Sequence, residues 1–98
     1  MHNYRIRFSA IDPEPLPERA SELLAAALGG MPGTEGVRSA EHDVGERRVG
    51  AEFVLRVRHG MADAARDGSR LAKEGLKSAT LPDATLVDLQ VTRESSPE

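Results

Sequence analysis

The eight residues Tyr4-Arg5-Ile6-Arg7-Phe8-Ser9-Ala10-Ile11 alternate apolar and polar, and the next six, Asp12-Pro13-Glu14-Pro15-Leu16-Pro17, carry three prolines. Nothing else in the chain limits its fold as much. A period of two sets Tyr4, Ile6, Phe8 and Ala10 on one face of a strand and Arg5, Arg7 and Ser9 on the other. Each Pro lacks the N–H that a sheet ladder needs, so the strand stops there. Ala20, Leu23, Leu24, Ala27 and Leu28 then recur at three- and four-residue spacing, the stripe of an amphipathic helix over about 17–28. Pro17 suits the first helical position, Glu18 the first turn, and Gly29-Gly30 a left-handed stop.

The rest of the chain repeats this grammar. Val49, Ala51, Phe53, Leu55 and Val57 alternate with Gly50, Glu52, Val54, Arg56 and Arg58. Before them, Glu35 to Val44 reads as an edge strand joined through Gly45-Glu46. A two-residue turn faces Ala40 and His42 inward, and a three-residue turn faces Val37 and Ser39 inward. Met61 to Ser78 is a second helix with Met61, Ala64, Ala65, Gly68, Leu71, Ala72, Gly75 and Leu76 on its inner face. Leu81-Pro82-Asp83 breaks it, and Thr85 to Thr92 is a last strand, with Val87, Leu89 and Val91 on one face. The order β-α-β-β-α-β with right-handed crossovers centres strands 1 and 3 and sets both helices on one face. The fold class expected is α+β, a ferredoxin-like βαββαβ two-layer sandwich.

Ninety-eight residues suffice for one core, expected over 1–93 with a flexible tail at 94–98. Without Cys, the chain has no disulfide framework, thiol nucleophile or thiolate metal site. It contains no apolar run of the ~20 residues a membrane span needs, and the start, with His2, Arg5 and Arg7, lacks a signal-peptide core. A soluble, cytoplasmic protein is expected. A net charge of −3 disfavours a general polyanion binder.

Candidate sites are few. The open sheet face gathers Arg5, Arg7, Arg56 and Arg58, four guanidinium groups that repel unless Glu52, Asp88, an anion or an acidic partner answers them. Tyr4, Phe8 and Phe53 fall by parity on the helix-covered face, so the base-stacking platform of RNA-recognition domains is missing and no nucleic-acid partner is expected. Aligning Ile6 with Leu55 sets His2 opposite His59 near Asp63 and Glu94, but no His-x-His or His-Glu-x-x-His spacing supports a metal. Ser9, Ser21, Ser39, Ser69 and Ser78 lack a nucleophile elbow, and the glycines form no phosphate loop. Gly68 and Gly75 share one helical face and fit close internal packing.

Ile11-Asp12-Pro13-Glu14-Pro15-Leu16 resembles the Asp-x-Pro-Gly-Leu start of ACT regulatory domains, except that Glu14 or Leu16 replaces the Gly. That resemblance implies amino-acid binding at a subunit interface near Asp12 to Glu18. Small ferredoxin-like chains also dimerise into α/β barrels that house enzymes, for which Tyr4 and His59 are the available seeds. The residues themselves point to a non-catalytic interaction module without cofactor, a homodimer or the partner of another protein. Its contact surface is the arginine-lined face or the edge strand.

Overall fold

The computed structural model describes residues 2–58 and 60–94. The elements run β1 (His2–Ile11), α1 (Ala20–Gly29), β2 (Thr34–Asp43), β3 (Arg48–Val57), α2 (Met61–Ser78) and β4 (Thr85–Arg93). The strands form one antiparallel sheet in the order β2-β3-β1-β4. This is the ferredoxin-like α+β arrangement that the alternation implied. Of the expected tail at 94–98, residues 95–98 lie outside the described residues. Glu94 lies within them and donates its N–H to the carbonyl of Asn3 at 3.0 Å.

Between the sheet and the helices, Tyr4, Ile6, Phe8 and Ala10 of β1 meet Ala51, Phe53, Leu55 and Val57 of β3, all buried. Burying a side chain of the size of Leu or Phe stabilises by ~1.5–3 kcal/mol relative to leaving it exposed. Phe8 and Phe53 add an edge-to-face contact, ring centres 6.2 Å apart at 75°. Helix α2 approaches so closely that a Cβ at Gly68 would lie 3.0 Å from Ile6 Cδ1, and one at Gly75 would lie 2.7 Å from Leu28 Cδ2. The two glycines therefore serve packing between α2, β1 and α1.

Several details differ from the sequence expectations. Helix α1 begins at Ala20, because residues 17–19 form a turn that closes with Ala20 N–H donating to Pro17 O at 3.1 Å. Its buried stripe is Ala20, Leu24 and Leu28, while Leu23 is 38% exposed. Gly30 ends α1 in a right-handed conformation (φ −89°), and the left-handed residue comes later, at Gly33 (φ 91°). Met61, at the solvent-facing start of α2, is exposed.

Strand β2 adopts neither proposed register throughout. The hairpin loop has four residues, Val44 to Arg47, which preserves the parity of a two-residue turn and sets Ala40 opposite Ala51 and His42 opposite Val49. Between Val37 and Ser39 the register shifts, and Val37 also turns inward, opposite Phe53. A bulge reverses side-chain parity without ending the strand. Another shift in β4, at Val87, brings Leu86 opposite Ala10 while Leu89 faces Phe8, and leaves Val87 exposed. Leu86, Leu89 and Val91 are thus the core-facing residues of β4.

Candidate functional site

Strand parity directs Arg5, Arg7 and Arg56 away from the helices, and all three are exposed. Arg58, just past the end of β3, is exposed as well. The register separates them. Across β1 and β3, Arg5 faces Val54, Arg7 faces Glu52 and Arg56 faces Asn3. No two of these arginines are therefore direct cross-strand partners, although Arg5 stays two residues from Arg7 on β1 and diagonal to Arg56 on β3. Arg56 has a partner, Glu35 Oε1 at 3.4 Å. Among the described residues, Arg5, Arg7 and Glu52 take part in no ion pair. Arg7 and Glu52 lie side by side on the two central strands and leave each other free.

Arg38 of β2 forms an ion pair with Glu94, next to the end of β4. These positions lie at opposite edges of the sheet, so their side chains must pass over β3 and β1. Val54 belongs to the open face yet is only 4% exposed. Its β2 neighbour Gly36 supplies no side chain, so the long side chains on this face, Arg5 opposite it on β1 and the Arg38–Glu94 pair, are available to cover it. Aliphatic stems of long charged residues commonly shield apolar surface in this way.

Towards the β2–β3 hairpin the same face holds a hollow of about 570 Å³. Gly50 and Ser9, paired across the central strands, form its floor, and Arg7, Glu41, Asp43, Arg48 and Asp88 stand around it. Arg48 is held by Glu46 at 3.3 Å. Glu41, Asp43 and Asp88 thus stand on the outer strands, while the central strands carry Arg5, Arg7, Arg48 and Arg56 together with Glu52.

The remaining sequence candidates lie elsewhere. Tyr4, Phe8 and Phe53 are buried under the helices. Observed register sets Ile6 against Phe53, two residues from the assumed alignment, so His2 faces Val57. His2 Nδ1 lies 2.9 Å from Arg93 Nη2, and His59 is outside the described residues. No three of His, Asp and Glu gather as a metal-binding group among the described residues. In the ACT-like segment, Asp12 is buried, and its Oδ1 accepts the Glu14 N–H at 2.8 Å in a local turn. Arg47 clasps this segment to the hairpin, donating from Nη1 to Pro13 O at 2.5 Å while its own carbonyl accepts the Asp12 N–H.

One arrangement has no sequence signal. His42 Nδ1 lies 3.0 Å from Ser21 Oγ and 3.3 Å from the Ser21 backbone N, across a separation of 21 residues. A Ser–His contact of this length suits a nucleophile and its base. Here the imidazole serves the first turn of α1, which has no side-chain cap of its own. The alternation of β2 leaves the face of His42 open, and no local pattern shows which helix N–H comes to meet it.

The fold and the site define a small ferredoxin-like α+β domain with an open face of mixed charge. No family model, curated protein or solved structure matches the chain. No helix among the described residues is long and apolar enough to cross a membrane.

Proposed function

We propose that the protein is a non-catalytic interaction module that associates with a second copy of itself through the open sheet face. The observation that carries this reading is the presence of Arg5, Arg7 and Glu52, free of ion pairs among the described residues, at the centre of that face. Arg is well suited to the carboxylates of a partner because its planar fork bonds them in pairs. The sheet edges fit the role less well. Register shifts interrupt both β2 and β4, and an incoming strand needs an unbroken ladder.

Sedimentation equilibrium at high micromolar concentration tests the reading. Dimer is expected at ~0.05 M salt and should be lost by ~0.5 M, where screening shortens the Debye length well below ~10 Å. Replacing Arg7 and Arg56 together by Gln should abolish it too, while stability changes by no more than ~0.5 kcal/mol. A monomer of 10.6 kDa under every condition overturns the reading. The hollow supports a second reading, a small-ligand regulatory domain, since its volume falls within the ~300–1,000 Å³ of ligand sites. A rise of several degrees in melting temperature with one amino acid or metal ion, and no dimer, would favour that alternative.

A further inference from the structure

Resting on the self-association reading, we infer that two copies meet about a two-fold axis parallel to the strands between β1 and β3, with Arg7 of each copy paired to Glu52 of the other. Two-fold contacts are reciprocal: whatever residue i touches, its counterpart touches in return. Arg7 and Glu52 are cross-strand partners on the two central strands, and Ile6–Phe53 and Phe8–Ala51, paired on either side of them, face the helices. Rotation about an axis between those strands exchanges β1 with β3 and leaves each residue at the same height along the sheet. Arg7 then arrives over Glu52, and Glu52 over Arg7, forming two opposite-charge pairs near the centre of the contact. The orthogonal choice, an axis across the strands, stacks β1 on β1 and brings Arg7 towards Arg5 of the second copy. Like charges facing each other across an interface suppress that arrangement.

The dimensions of the face agree with this pairing. Packed sheets lie ~10 Å apart, a gap that an extended Arg and Glu span together. Four strands of ten, ten, ten and nine residues present a footprint of roughly 600 Å² per copy, from ~4.8 Å between strands and ~3.3 Å per residue. Two such footprints reach the lower bound of specific interfaces, ~1,200 Å². Gly50 and Ser9 keep the surface low on the hairpin side of the central pair, while on its other side the exposed Arg38–Glu94 pair, which crosses the face, has to swing outward as the second sheet approaches. Glu41 and Asp88, on the outer strands, come near each other at the rim, where solvent screens them.

Charge exchange tests the pairing. Arg7→Glu and Glu52→Arg should each weaken self-association tenfold or more, because each leaves like charges facing across the axis. Mixing the two single variants should restore a mixed dimer, since a carboxylate then meets a guanidinium at both contacts. A chain carrying both changes should also dimerise with itself. Native mass spectrometry resolves these species if one variant is isotope-labelled, and far-UV spectra establish that each variant is folded. If the unaltered protein dimerises and both single variants dimerise equally well, the Arg7–Glu52 pairing is wrong while the self-association reading survives. If neither the unaltered protein nor the mixture associates, both are wrong.

Discussion

A Cβ atom at Gly50 would stand 2.4 Å from the carbonyl oxygen of Phe8, closer than any real side chain sits to a backbone atom. The two residues belong to the central strands, so the oxygen cannot retreat without parting β1 from β3. Gly50→Ala should therefore destabilise the domain by ~3 kcal/mol, at or above the upper end of ordinary overpacking. Urea unfolding checks it against Gly36→Ala, where nothing lies within 4 Å and a change under ~0.5 kcal/mol is expected.

Thr80 offers the opposite case. It follows α2 with φ 64°, a left-handed conformation that disfavours a β-branched side chain. The backbone there is well bonded, with Leu81 N–H donating to Leu76 O at 2.8 Å and Thr80 N–H to Lys77 O at 3.2 Å. Glycine adopts this conformation without the steric cost, so Thr80→Gly should stabilise by ~1 kcal/mol. A rise of ~4–8 °C in Tm by calorimetry would match a domain of this size.

His42 substitutes for the missing cap of α1. His42→Leu keeps an apolar body on β2 but removes the acceptor for Ser21 N–H, and should cost about 1 kcal/mol. Ser21→Ala retains the N–H bond and should cost less. Amide hydrogen exchange at Ser21 separates the two: protection falls in the His42 variant and persists in the Ser21 variant.

Gly68→Ala sets helix propensity against packing. Alanine favours the helix by ~1 kcal/mol. Its methyl would meet three atoms of Ile6 at 3.0–3.1 Å, and Ile6 is fully buried and stiff at χ1. The expected outcome is a net loss of about 1 kcal/mol by chemical denaturation. A gain would show that α2 can move away from β1.

Strand identities were legible because alternation in Tyr4–Ile11 and Val49–Val57 is nearly strict, and α2 because its glycines and alanines keep helical spacing. The β2 register was not. Its weak hydrophobic pattern, Val37, Ala40 and His42, fits no single parity, since a bulge lies between the first and the second. Val87 misled for the same reason in β4. At the candidate site, parity identified the outward arginines. Which carboxylate faces which guanidinium depends on inter-strand register, and a shift of two residues between β1 and β3 changed every pairing. The Arg38–Glu94 strut and the His42–Ser21 contact join distant residues, beyond the reach of any local pattern.

The pairing of Tyr4 with Arg93 has a consequence for synthesis. Strand β1 is central, yet one of its two neighbours, β4, is translated long after it. At roughly 5–20 residues per second, several seconds pass while Arg5, Arg7 and Ser9 alternate with apolar side chains on a strand lacking that neighbour. The nascent sheet must wait with Leu89 and Val91 still missing from beside Phe8 and Ile6, and β1, made before the other three strands of its sheet, is among the last of them to be completed.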